Sequence, residues 1–262
     1  MASFKIRLIN GFPILTATDS GSNTKYWLYT KSNGALAVGE AIKVGSTKYF
    51  FDSNGYLTLS IDSSNHVYDS DSKLITDNAV TIGSNLYYVN TDGVLTTTPN
   101  TWITYSYNLK KYYIKSDGTL AHNESLVIEN ETYRFDTNGM ILLSIDENNH
   151  VYNSYHNLIT NAIVTIDGND HFVDKSGTLV TTPSTWITYT DDDDEENQHK
   201  LYNKADGTLA EGEVVTIDGN DYLFDASGYL VTDGSYTIRN VEYHTNSEGI
   251  VISRNNVDDN DE

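Results

Sequence analysis

The chain has 262 residues, 38% of them hydrophobic and 20% charged, enough apolar content to fold rather than remain a disordered polymer. Its formal net charge of −21 excludes nucleic acid and anionic lipid as natural partners, because both demand a basic surface. Neutral sugars, cations and basic proteins stay open, and a polyanion such as a teichoic acid would need one local basic patch. There is no cysteine to form a disulfide staple, and no apolar run approaches membrane-spanning length, so no membrane insertion is expected.

Met1-Ala2-Ser3 has neither the charged start nor the apolar core of a secretion signal, and is expected to head a mature piece of a larger protein. Residues 1–23 do not fit the pattern that follows and are expected to form an N-terminal cap or strand. From 24 to 254 a unit of about twenty residues recurs, about eleven times: strand, turn, aromatic strand, turn, aliphatic strand. It reads Y-F-F-D-S-N-G-Y-L from Tyr49 to Leu57, Y-R-F-D-T-N-G-M-I from Tyr133 to Ile141, and Y-L-F-D-A-S-G-Y-L from Tyr222 to Leu230. Two units, Asn65 to Thr76 and Asn149 to Thr160, are short and lack the glycine turn. Two are long, Asn100 to Glu124 and Ser184 to Gly212. Four units make a longer repeat, for Gly34 and Gly118, Gly55 and Gly139, Gly93 and Gly177, and Trp102 and Trp186 are each 84 residues apart. The long repeats span about 16–99, 100–183 and 184–254, and an acidic tail, expected to fray, occupies 255–262.

Alternation of β-branched and aromatic residues, with no sustained helical spacing, predicts strands throughout. Asn33-Gly34, Asn54-Gly55, Asp92-Gly93, Asp117-Gly118, Asn138-Gly139 and Asp206-Gly207 predict tight hairpins with positive φ at both central residues. A second turn series, Gly45-Ser46, Gly83-Ser84, Glu129-Asn130, Asp167-Gly168 and Asp218-Gly219, precedes the aromatic strands. One unit cannot bury its own apolar face, so the fold class expected is an all-β solenoid of stacked hairpins. The unit aromatics Tyr49, Phe51, Tyr88, Tyr133, Phe135, Phe172, Tyr222 and Phe224 are expected to be its packing.

The Y-x-F-D-x-x-G-x-L unit, seen from Lys25 to Ser253, resembles the cell-wall-binding repeats of Gram-positive surface proteins. That superfamily includes choline-binding modules, glucan-binding repeats of glucansucrases and the receptor-binding ends of clostridial toxins. The resemblance implies a binding array on a secreted or cell-surface protein. Choline-binding repeats open with Gly-Trp and carry a second Trp in the aromatic strand. Here the opening is missing and only Trp27, Trp102 and Trp186 exist, so choline is not expected. The mixture of short and long units is similar to toxin-type and glucan-binding arrays, and implies sugar sites where a long unit meets short ones.

Sugar binding without catalysis needs a flat ring against the apolar face of a pyranose and polar groups for its hydroxyls. Thr101-Trp102-Ile103-Thr104-Tyr105 recurs as Thr185-Trp186-Ile187-Thr188-Tyr189 at the head of the two long units. The candidate carbohydrate-binding residues are therefore Trp102, Tyr105, Tyr107, Lys111 and Tyr112 in the first, Trp186, Tyr189 and Tyr202 in the second, and Trp27 with Tyr29 in the opening unit. Against this stands the reading that the same rings are core. His66 and His150, 84 apart, read as structural residues at a turn. Absent H-E-x-x-H, C-x-x-C and G-x-S-x-G motifs argue against an enzyme, a metal or a cofactor. Asp191 to Glu196 reads as a solvated loop, with calcium the alternative. The function expected is non-catalytic binding of a neutral glucan, starch-like or dextran-like. The alternative is a cell-wall anchor or a spacer that contacts a host receptor.

Overall fold

The computed structural model describes residues 3–9, 12–18, 25–105, 109, 111–191 and 194–257, with the side chains of 3–25 and 191–197 outside that description. The chain divides into two compact units, one of Met1–Ile128 and Thr132–Leu143 and one of Glu129–Glu131 and Ser144–Glu262. The fold is an all-β solenoid of stacked hairpins, with no helix among the described residues.

The first unit opens on a three-stranded antiparallel sheet of β1 (Ser3–Ile9), β2 (Phe12–Thr18) and β3 (Lys25–Tyr29), so the segment read as an N-terminal cap or strand supplies two of its strands. Next comes a four-stranded sheet of β4 (Ala41–Val44), β5 (Thr47–Phe51), β6 (Leu57–Ile61) and β7 (Val67–Asp69). The hairpin β8 (Asn78–Ile82) and β9 (Asn85–Val89) carries the short strand β10 (Leu95–Thr96). The first long hairpin is β11 (Thr101–Thr104) with β12 (Lys111–Ile114). β13 (Glu124–Ile128), β14 (Glu131–Phe135), β15 (Ile141–Ile145) and β16 (Val151–Asn153) fill the same places in the repeat as β4 to β7. In the second unit the hairpin β17 (Ala162–Ile166) and β18 (Asn169–Val173) precedes the long hairpin of β19 (Thr185–Asp191) and β20 (Asp194–Asn203). β21 (Glu213–Ile217) pairs with β22 (Asn220–Phe224), and β23 (Ser235–Ile238), β24 (Val241–Thr245) and β25 (Val251–Asn256) close the chain. Asn255 and Asn256, assigned to a frayed tail by sequence, are strand residues opposite Glu242 and Val241.

The two turn series exchange roles relative to expectation. At Asn54-Gly55 only the glycine is left-handed, with φ 82°. Gly55 N donates to the Asp52 carbonyl (3.0 Å) and Asp52 N to that of Tyr56 (2.9 Å), closing a three-residue loop. The Asp52 carboxylate takes the amides of Asn54 (2.9 Å) and Tyr56 (2.8 Å), which holds the turn and spares Asn54 the left-handed region. The short units keep this turn, with Asn65 and Asn149 (φ 63° each) where the others have glycine. The two-residue hairpins are the second series. Asp167-Gly168, Asp218-Gly219 and Glu129-Asn130 have positive φ at both positions, whereas Gly45 and Gly83 precede right-handed serines.

Each core cluster draws on consecutive hairpins. Leu59 and Val67 pack with Val80 and Val89, Leu86 and Tyr88 with Tyr112, Ile114 and Leu120, and Phe172 with Ile187, Leu201 and Leu209. Backbone bonds tie the same neighbours: the amides of Leu120, Leu209 and Leu230 each lie 2.8 Å from the carbonyls of Leu86, Asp170 and Lys200. Stability is thus a sum of neighbour contacts, as in other repeat proteins.

Candidate functional site

β19 has 7 residues and β20 10, against 4 each in β11 and β12. The acidic insertion therefore lengthens a hairpin, and its side chains lie outside the described residues. The hairpin is anchored at both ends. Asn161 Nδ2 donates to the Thr190 carbonyl (2.9 Å), and the fully buried Asn203 donates to that of Thr182 (2.8 Å). Register pairs Trp186 with Tyr202, Ile187 with Leu201, Thr188 with Lys200 and Tyr189 with His199. Alternation then puts Trp186, Thr188, Lys200 and Tyr202 on one face and Ile187, Tyr189, His199 and Leu201 on the other. On the second face Ile187 and Leu201 enter the core, while His199 stacks on Tyr229 (4.0 Å) beside Tyr189.

The first face borders a cleft. The Trp186 ring leans on Tyr202 and Tyr222 (5.1 Å each) and Phe224 (5.9 Å), yet 39% of the residue stays exposed. It forms one wall of a cleft of about 410 Å³, with Thr188, Lys200, Tyr222, Ser247 and Glu248 among the other lining residues. Among the described residues, neither the Lys200 ammonium nor the Glu248 carboxylate is closed on a side-chain partner. The turn lysines behave otherwise: Lys31, Lys115 and Lys204 pair with Glu40, Glu124 and Glu213 at 2.7, 3.0 and 2.8 Å. An exposed indole beside a donor, an acceptor and three hydroxyl groups suits a pyranose, whose apolar face stacks while its hydroxyls bond.

In the first unit Trp102 lies opposite Tyr113 and packs against Tyr113 (4.8 Å), Tyr133 (4.8 Å) and Phe135 (6.3 Å), joining the core of Ala121, Phe135 and Ile141. Tyr112 is 2% exposed and Tyr202 8%, so both are packing residues and leave the candidate set. Strand alternation gives no sign of this, because stacked hairpins bury parts of both faces. Burial pushes the Tyr112 hydroxyl up to about 12. Tyr105 meets Tyr112 edge-on at 6.1 Å, and Lys111 is exposed. Tyr107 lies outside the described residues. Trp27 and Tyr29 pack on Ala37, Phe51 and Leu57, with Tyr29 6.2 Å from Phe51. The set is thus spread along the chain, and of its described members only Trp186 lines the cleft described above.

Tyr222, expected from sequence to be packing, does pack on the core of Ala210 and Phe224, but it is only half-buried and also lines the cleft. Its place beside a tryptophan is set by the stacking of hairpins and has no local signature. Ser247 and Glu248 come from the last glycine turn, far along the chain. The paired histidines serve turns: His150 Nδ1 and the Tyr152 hydroxyl meet Asp146 Oδ2 at 3.0 and 3.2 Å, and His66 and Tyr68 meet Asp62 at 3.2 and 3.3 Å. Among the described residues no three His, Asp or Glu side chains gather as metal ligands.

Residues 42–57, 80–95 and 215–230 match the family model for the cell wall binding repeat, so the chain carries cell wall binding repeats. No curated protein matches it in sequence. Among solved structures it is similar to the modular autolysin LytC from Streptococcus pneumoniae (20% identity, TM-score 0.33, 88% of this chain and 46% of that one). It is also similar to an alternansucrase in complex with isomaltononaose (18%, 0.39, 95% and 18%) and to the choline-binding domain of CbpL from S. pneumoniae (23%, 0.28, 83% and 98%). The chain thus spans less than half the length of the autolysin and of the alternansucrase.

Proposed function

We propose that the chain is a non-catalytic carbohydrate-binding array of an extracellular or cell-surface protein, and that its ligand is a neutral glucan of starch-like or dextran-like type. The observation that carries this reading is Trp186, an indole exposed on the wall of a polar cleft where a long hairpin meets short ones. Its face takes the sugar ring, Lys200 donates to ring hydroxyls, and Glu248 accepts from them. The carbohydrate-binding reading also draws support from the cell wall binding repeats. Hydrolysis of a glycoside needs two opposed carboxylates, and among the described residues Glu248 is the one carboxylate lining this cleft.

Titration calorimetry of the intact chain with isomalto- and malto-oligosaccharides tests the reading. Saturable binding is expected, tighter for one linkage than for the other. No heat with either series at millimolar sugar would leave the anchor or spacer role.

A further inference from the structure

We infer that the first unit holds a second binding site, separate from the Trp186 cleft, for a saccharide that carries an anionic group. The site is a groove of about 410 Å³ over the short hairpins, lined by Lys43, Lys48, Phe50, Ile82, Tyr87 and Leu95. Phe50 and Ile82 continue into an adjoining cleft of about 870 Å³.

Two observations point to an anion. First, Lys43 and Lys48 lie directly opposite each other across β4 and β5. Like charges so placed destabilise a sheet. In a chain of net charge −21, with 37 acidic residues available, neither lysine has a carboxylate partner among the described residues. Lys48 instead sits 5.0 Å over the Phe50 ring. The Asp62 carboxylate lines the groove but is spent on its own turn, where it takes the amides of Ser64 and His66, the His66 ring and the Tyr68 hydroxyl.

Second, the repeat shows which of these residues the fold needs. Counting 84 residues on, Ile61, Ile82 and Leu95 return as Ile145, Ile166 and Leu179, so the apolar frame is kept. Lys43, Lys48, Phe50 and Tyr87 become Val127, Thr132, Arg134 and His171. The lysine pair and its two rings are therefore not required at these places in the hairpins and are particular to the first long repeat. Two ammonium groups grip a carboxylate or phosphate, while Phe50 and Tyr87 offer half-buried rings to the sugar that bears it.

The test compares binding of the intact chain, at low and at high salt, to dextran, carboxymethyl-dextran and phosphorylated dextran. The shared backbone isolates the charge, and the two derivatives separate a carboxylate ligand from a phosphate one. Tighter binding to at least one derivative is expected at low salt. The Lys43→Val/Lys48→Thr variant, which installs the residues found 84 positions on, should lose about tenfold or more of that gain. It should keep its affinity for plain dextran and melt no lower than the parent, since a repulsion has been removed. Lys73→Gln should bind as the parent does. Equal binding to all three polymers, an unchanged double variant, or the same loss in Lys73→Gln would each overturn the site. Loss of plain dextran binding alone would strike the Trp186 reading and leave this one standing.

Discussion

The hairpins β11–β12 and β19–β20 open on the same five residues, Thr-Trp-Ile-Thr-Tyr, yet their tryptophans differ in exposure. Trp102 is partly buried against Tyr113, Tyr133 and Phe135 and packs on the core of Phe135 and Ile141. Trp186 rests on the equivalent trio, Tyr202, Tyr222 and Phe224, but keeps 39% of its surface and faces a cleft edged by the last glycine turn. A repeated motif thus sets the neighbours a ring will touch, while the exposure the ring keeps differs between the two copies.

That contrast can be broken most sharply by truncation. Trp102→Ala should cost roughly 3–5 kcal/mol of stability, as loss of a packed aromatic does, read as a fall in denaturant midpoint. A midpoint unchanged within error would mean that Trp102 is as free as Trp186. A smaller effect tests the hairpin spacing itself. At Gly177 (φ 87°) an added Cβ would lie 2.6 Å from Leu158 Cδ1, so Gly177→Ala should cost about 1–3 kcal/mol. Gly168, in a two-residue turn with open space around it, should show only the strain of its φ. The smallest effect is acid sensitivity. The Ser176 hydroxyl and backbone amides hold the Asp174 carboxyl below its usual range, and Thr208 does the same for Asp206. A lowered folded pKa gives stability that is complete above the unfolded value and lost as pH falls through the folded one. The melting temperature should therefore hold from neutrality to about pH 5 and decline below about pH 4. An Asp174→Asn/Asp206→Asn variant should decline less steeply.

The fold was legible because the repeat is explicit: Tyr49 to Leu57 and its counterparts predict the aromatic strands β5, β14 and β22. The turns were misread at one step. Asn-Gly alone does not tell whether Asn is left-handed; the three-residue loop leaves only its glycine so, whether an aspartate or a lysine stands two positions before the Asn or Asp. Of the candidate site, Trp186 could be found from its place in a long unit. The burial of Tyr112 and Tyr202 could not, since it depends on the hairpin stacked against each. Glu248 was invisible for the opposite reason, as a turn residue brought to Trp186 only by the path of the chain.

The most direct test of the account is glucan affinity and melting temperature measured on the same Trp186→Ala protein. Losing a stacking ring should remove roughly 1–3 kcal/mol of binding, about tenfold to a hundredfold in affinity, if base-on-aromatic stacking guides sugar-on-aromatic contact. The account predicts that loss with a melting temperature well above that of Trp102→Ala. Unaltered glucan binding, or a collapse in stability equal to that of Trp102→Ala, would contradict it.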